Sequence, residues 1–360
     1  VADQDFVLAP PTVKVGFSLE PVQNALNSLM LLNQIKDRSG FGEWTERTAA
    51  LLTPERLQTN HVVFEVMHKA CEVAIGWSDF AAFIDSIASS DAVTMRDNIL
   101  DELLHKVDVA DKGAILADKA TFLDTVQKAL GHKYAEKGEE LDLSVFEDAY
   151  PLVIDPPAMQ AAIVEHLRFM WDEHLQQEWK RVLAMLQESA EAFRQIDFNG
   201  QTAIQAARVV TGRNLSGIWE DLDRAESVVF VPSAHIGPYV SMFHHDQQIY
   251  VLFGARMPEG VKMRSAALTR SELLVRLSAL ADDTRLTILE LLTERDELCA
   301  QDIITLLNLS QSSASRHLRQ LTATGYLVER RREVAKCYSL NPDRLSDTIL
   351  ALRTFVRGKA

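Results

Sequence analysis

Apolar residues along this chain recur mostly at steps of three and four, the spacing of one buried face on an α-helix. The pattern predicts helices over Val22–Arg38, Glu43–Leu52, Pro54–Ile75, Phe80–Ser89, Val93–His105, Lys119–Leu130 and Leu143–Tyr150. Thr53–Pro54 is a start signal: a hydroxyl cap, then a proline in the first turn, where its missing N–H costs nothing. Tyr134–Glu140 is polar and reads as a loop. Pro156–Pro157 opens a long helix running to about Ile196, its stripe carried by Ile163, Leu167, Met170, Leu175, Trp179, Val182, Leu186, Ala190 and Phe193. A helix of that length would reach ~60 Å.

The texture changes at two places. A short strand is expected at Thr12–Phe17, and β-branched and aromatic residues broken by Gly-Pro predict two or three strands within about 226–254. Pro258–Gly260 reads as a hinge. Beyond it come helices Arg270–Ala281 (Leu273, Leu274, Leu277 and Leu280 inward), Arg285–Thr293 capped by Asp282-Asp283-Thr284, Ala300–Leu307 and Gln311–Thr324. Gly325 ends the last of these. Strands Tyr326–Arg331 and Lys336–Leu340 and a helix Arg344–Val356 follow. The expected fold is mainly α, with a helical domain over 1–262 ending in the small β element and a winged helix-turn-helix over 263–360.

A short helix, a tight break (Asn308-Leu309-Ser310) and a second helix lay that second helix in the major groove of duplex DNA. Its candidate reading residues are Ser310, Gln311, Ser312, Ser313, Ser315, Arg316 and Arg319. Small hydroxyls permit close approach, and Gln and Arg can bond base edges. Ala314, Leu318 and Leu321 supply the buried side. Arg330, Arg331, Arg332 and Lys336 in the hairpin are expected to meet phosphates.

A net charge of −14 looks wrong for a nucleic-acid partner. The charge is unevenly placed: from Ser265 onward 14 Lys and Arg face 12 Asp and Glu, leaving 23 against 39 before it. The acid lies in the front region, and DNA needs only local positive potential. No stretch approaches the ~18 apolar residues of a membrane span. The start VADQDFVLAPP has no basic region followed by an apolar run, so no signal peptide is expected.

The strings LSALADDTRLTILELL, AQDI with LSQSSASRHLRQLTATG, and LVERRREVAKCYSL resemble the ArsR family of bacterial transcriptional regulators over about Arg270 to Arg357. That resemblance implies a homodimer formed by Arg270–Ala281 and Arg344–Val356. One departure matters. Metal-sensing members carry ELCxCDL, whose two thiolates bind soft metals. This chain has ELCAQDI, with Cys299 present and Gln301 in place of the second cysteine. One thiol makes a poor soft-metal site, so packing is the role expected of Cys299. Cys71, Cys299 and Cys337 are scattered and odd in number, which argues against a disulfide framework and suits a reducing cytoplasm.

The front region resembles a helical module of unassigned role that precedes ArsR-like domains in some bacterial regulators, on the strings WDEHLQQEW and VVFVPSAHIGPYV. Three constellations there carry candidate chemistry. His61, Glu65, His68 and Glu72 fall on one face of a helix; they could ligate zinc, and a solvated polar face is the alternative. His244-His245-Asp246 could ligate too, or form a polar hairpin turn. His166, Met170, Trp171, His174 and Trp179 place polar tips and rings on or beside the apolar stripe of the long helix, the makings of an effector pocket or of a core with one satisfied histidine. The chain has no G-x-G-x-x-G, P-loop, G-x-S-x-G or HExxH string, so neither an enzyme nor a cofactor is expected. The expected function is a cytoplasmic, sequence-specific regulator, a one-component repressor whose front domain senses a small molecule. It would bind a near-palindromic duplex as a homodimer. The alternative is an interaction protein whose winged helix and front domain bind protein partners.

Overall fold

The computed structural model describes residues 13–35, 41, 43–71, 75–107, 111–135, 141–212, 215, 219–237, 239–258, 270–332 and 335–357. The chain forms two compact units, one from Val1–Leu19, Lys180–Leu277 and Pro342–Ala360, the other from Glu20–Trp179 and Ser278–Asn341. It is mainly α, as the periodicity predicts. The hinge expected at Pro258–Gly260 runs into residues outside those described.

In the second unit, a helical bundle comprises α1 (Pro21–Leu31), α2 (Glu43–Leu51), α3 (Pro54–His61), α4 (Phe80–Ser89), α5 (Ala92–Leu104), α6 (Lys112–Ala117), α7 (Lys119–Ala135), α8 (Ser144–Val153) and α9 (Pro156–Met170). Short polar side chains start several of them by accepting orphan N–H groups. Thr53 accepts from Arg56, Asp91 from Thr94 and Asp155 from Ala158. Leu29, Met67, Phe80, Leu100, Phe122, Phe146 and Ile163 fill one continuous core.

Two of the helices expected from the sequence are interrupted. After α3 the chain makes a π-helical turn over Val62–Val66 and a 3₁₀ turn over His68–Cys71. Val62, Val63, Phe64, Val66 and Met67 are all buried. Five apolar side chains in six positions are more than one α-helical face can cover, and the wider turn lets them share the core. The long helix is broken likewise by a π turn, Trp171–Leu175, before α10 (Gln176–Arg194). Its stripe steps by five between Met170 and Leu175, and one extra residue in that turn keeps both inside.

The other unit contains a second core. Strands β1 (Lys14–Phe17), β2 (Ser227–Ser233), β3 (Val240–His245) and β4 (Gln248–Gly254) form a sheet in the order β1-β2-β4-β3. β1 pairs parallel with β2 and β2 with β4, while β3 and β4 form a hairpin. Near-continuous apolar runs in β2 and β4 suit strands buried in parallel pairs. α11 (Ala203–Thr211) packs its alanines and Val210 into this core with Phe193, Phe230 and Phe253, and the short α12 (Glu220–Asp223) adds Leu222. This unit also holds most of α13 (Arg270–Leu280) and all of α17 (Pro342–Arg357). Leu274, expected to face inward, is 56% exposed on α13.

The remaining elements are α14 (Asp283–Glu294), β5 (Leu298–Cys299), α15 (Ala300–Leu307), α16 (Gln311–Ala323), β6 (Leu327–Arg332) and β7 (Ala335–Leu340). Their sheet runs β5-β7-β6, antiparallel throughout. No described helix is long and apolar enough to cross a membrane.

His166 yields a measurable consequence for the bundle. Burial, and then the Arg56 guanidinium, hold its pKa down to about 4, with Glu165 acting in the opposite sense. An unfolded histidine takes up its proton near ~6.5. The neutral ring's contribution to stability is therefore complete above about pH 6.5 and is lost as pH falls towards about 4. Urea unfolding across that window should show stability falling by up to ~1.4 kcal/mol per pH unit. His166→Gln should flatten the slope; an unchanged slope would assign the effect to another group.

Candidate nucleic-acid interface

The turn between α15 and α16 is set by two residues. Asn308 takes the left-handed conformation that ends α15 (φ 49°), which asparagine tolerates better than most side chains. Leu309 N–H then donates to the Ile304 carbonyl at 3.0 Å. Ser310 begins α16: its Oγ accepts from Ser313 N–H at 3.2 Å and lies 3.2 Å from Ser312 Oγ. Ser310, expected at the base edges, is thus committed to capping. At the far end Gly325 (φ 79°) reverses the chain, and Tyr326 N–H reaches the Leu321 carbonyl at 2.9 Å.

These ends fix the rotation of α16. Ala314, His317, Leu318 and Leu321 turn inward, while Gln311, Ser312, Ser315, Arg316 and Arg319 are exposed and Ser313 is half-buried. The spacing of 312, 315, 316 and 319 puts an arginine pair and two hydroxyls on one solvent-facing side. That side is polar and free of carboxylates along its own helix.

Arg285 anchors this helix, and the sequence reading did not single it out. It is 8% exposed and spreads its guanidinium over three acceptors. Nε donates to the Ala279 carbonyl at 2.6 Å, Nη2 to the Ser278 carbonyl at 3.0 Å, and Nη1 to Gln320 Oε1 on α16 at 2.8 Å. Asp282 caps α14 by accepting from Arg285 N–H at 3.0 Å and stands 3.5 Å from His317 Nδ1. That N–H bond first, then the nearby Arg285, His317 and Arg316 side chains, hold the Asp282 carboxyl below its ordinary range. The available signal was an arginine three residues after a capping aspartate, on the same helix face as Ile288, Leu289 and Leu292.

The wing differs from its sequence reading in charge. Arg330 makes a two-pronged ion pair with Glu297 through Nε to Oε2 and Nη2 to Oε1. Lys336 Nζ sits 2.6 Å from Glu329 Oε1, and Tyr338 Oη donates to Glu329 Oε2 at 3.1 Å. Burial first, with Glu329 beside it, pushes the Tyr338 phenol up. Two of the four wing cations are thus matched by carboxylates whose proximity only the folded chain creates. Arg331 and Arg332 lie on β6, with Arg331 opposite Lys336; their side chains lie outside what is described.

The cysteine reading is corrected. Cys299 is not a lone packed thiol: it is joined to Cys337 by a disulfide, with Cα atoms 3.7 Å apart and the two residues 38 positions apart in sequence. β5 pairs with β7 so that Cys299 stands opposite Cys337. The absence of a second cysteine at Gln301 therefore does not leave Cys299 without a sulfur neighbour.

The front constellations separate. His166 and Met170 are fully buried in the bundle. His166 Nε2 lies 3.0 Å from Asn60 Oδ1, and Asn60 Nδ2 donates to the Leu29 carbonyl and to Asn33 Oδ1. Trp171 packs on Phe80 with ring centres 4.9 Å apart, and His174 meets Phe169 edge-on at 5.6 Å. The His174 carbonyl, in the π turn, accepts from Trp44 Nε1 at 3.1 Å. Trp179 is half-buried further along α10. The expected face of His61, Glu65, His68 and Glu72 is divided by the π turn; Glu65 accepts from Tyr134 Oη at 2.8 Å, and Glu72 lies outside the described residues. His244 and His245 end β3, and Asp246 (φ 52°) turns the hairpin beside them.

Three packed helices, the last of them capped at both ends, and a two-stranded wing define a winged helix-turn-helix domain. The family described as "Bacterial regulatory protein, arsR family" matches residues 282–328, so this segment is an ArsR-family helix-turn-helix domain. Similar curated proteins include the arsenical resistance operon repressor of Escherichia coli K12, 46% identical over 63 residues, which is 18% of this chain and 54% of that one. Two arsenic resistance transcriptional regulators of Pseudomonas putida are 42% and 40% identical over 64 and 65 residues, again 18% of this chain and 50% and 56% of theirs. The chain spans about half the length of these relatives.

Removing the Arg285 fork should loosen the domain. Arg285→Ala strands buried carbonyls and should cost about 3 kcal/mol, with Arg285→Lys recovering only part because it lacks the planar fork. Hydrogen exchange of α14 and α16 amides in the full chain measures this, and unchanged protection in the alanine variant would contradict it.

Proposed function

We propose that the protein is a DNA-binding transcriptional regulator that reads duplex DNA with α16. The observation that carries this reading is the solvent-facing side of α16, where Gln311, Ser312, Ser315, Arg316 and Arg319 converge while Ala314, Leu318 and Leu321 hold the helix down. The similarity to named repressors and regulators of arsenic resistance supports it.

The finer reading is a homodimeric, one-component repressor. Support for a second copy comes from apolar side chains exposed on the two helices that the family resemblance assigns to dimerisation: Leu274 and Val275 on α13, Ile349, Phe355 and Val356 on α17. A dimer places two reading helices about one DNA turn apart, ~34 Å, and so calls for a near-palindromic site. Support for sensing comes from the bundle interior, where Asn27 Oδ1, Asn33 Nδ2, Thr45 Oγ1 and His166 Nδ1 are buried with no hydrogen-bond partner. Buried polar atoms left unpaired cost stability, and a small polar molecule that bonded them would offset that cost. A small polar effector would shift DNA binding only by preferring one arrangement of the dimer.

Selection of binding sites from random duplexes, followed by anisotropy titrations, tests this. Gln311→Ala or Arg316→Ala should relax sequence preference by ~1–3 kcal/mol per lost base contact, with little change in the salt slope for Gln311. Recovery of no preferred sequence, or variants that keep the full preference, would overturn the reading role of α16.

A further inference from the structure

We propose that Cys299 and Cys337 are a reversible oxidation site through which low-molecular-weight disulfides set the charge that the wing offers to DNA. The proposal rests on the DNA-binding reading above. The two sulfurs belong to different parts of the motif: Cys299 caps the first helix of the helix-turn-helix, and Cys337 lies within the wing strand β7. Cys337 is fully buried, whereas Cys299 is partly exposed and within reach of a small reagent.

The bridge lies next to the wing's ion pair. β5 is two residues long and meets β7 only through Leu298 opposite Tyr338 and Cys299 opposite Cys337. Glu297 immediately precedes that strand, and its partner Arg330 stands opposite Cys337 on the other side of β7. The disulfide therefore holds the segment carrying Glu297 beside Arg330. With the bridge closed, the guanidinium is occupied by a carboxylate. With the bridge open, one residue pair is left to retain β5, and Arg330 can turn from Glu297 to a phosphate.

The chemistry is thiol–disulfide exchange. The Cys299 thiolate attacks one sulfur of a disulfide RSSR, forming a Cys299–SR mixed disulfide and releasing RS⁻. The Cys337 thiolate then attacks the Cys299 sulfur and expels the second RS⁻. Two protein thiols lose two electrons and two protons, and one RSSR becomes two RSH. Excess RSH runs the sequence backwards. In a compartment that keeps thiols reduced, a bridge that forms only under oxidation reports on that balance.

The test uses the full-length protein equilibrated in mixtures of reduced and oxidised glutathione. Alkylation with mass spectrometry reads free thiol at Cys299 and Cys337, and anisotropy reads binding to a labelled mixed-sequence duplex. Both thiols should be lost together as the mixture becomes oxidising. The reduced form should bind roughly tenfold more tightly near ~0.1 M salt, with a salt slope steeper by about one. Cys299→Ala should bind like the reduced form at every glutathione ratio, and Glu297→Gln should bind tightly even when oxidised. A bridge that never forms, or one that forms while affinity stays unchanged, overturns the proposal. If neither redox form binds duplex at low salt, the DNA-binding reading fails and takes the proposal with it. The thiol measurement reports the bridge independently of that result, so the two failures are distinguishable.

Discussion

A single buried guanidinium organises the winged helix. Arg285 lies on the buried face of α14 at 8% exposure, where an unpaired charge would be prohibitive. It is tolerated because its fork reaches the carbonyls of Ser278 and Ala279 and the amide of Gln320 at once. Those bonds tie the chain entering α14 to the flank of α16. The rotation of α16, and with it the set of side chains that faces solvent, follows from this anchor together with the Ser310 cap and the Gly325 reversal. Asp282 strengthens the same junction by capping α14 and standing beside His317.

Charge is distributed differently from what residue counting suggests. The wing is rich in Arg and Lys, yet Glu297, just before β5, meets Arg330, and Glu329, on β6 itself, meets Lys336 of β7. Exposed ion pairs of this kind contribute little to stability. Their consequence is electrostatic: Arg330 and Lys336 each face a carboxylate, while Arg316 and Arg319 are exposed on α16.

The two π turns show how the front region accommodates an imperfect pattern. Where apolar positions crowd at Val62–Met67, or skip a step between Met170 and Leu175, the helix widens for one turn instead of exposing a side chain. Each widening lies just after a residue of the buried polar chain, Asn60 in α3 and His166 in α9. The bundle core thus carries a hydrogen-bonded polar chain through Asn33, Asn60 and His166.

The sequence by itself determined where most of the helices lie, the starts at Thr53 and Asp282 and the helix-turn-helix, but not the two π turns or α6 and α11. Those features depend on neighbours within a few residues: Thr53 before Pro54, Asp282 before Arg285, Asn308 and Ser310 around one turn. Leu274 was misplaced because its spacing matches a buried face and the sequence does not say what covers it. Tertiary structure alone decided the long-range pairings. β1 at Lys14–Phe17 joins β2 in parallel across more than half the chain, the two-residue β5 finds β7 and so brings Cys299 to Cys337, and Glu297 reaches Arg330. None of these has a local signal. A parallel partner or a short edge strand is chosen by the burial it completes, and the sulfur and charge contacts that follow are consequences of that packing.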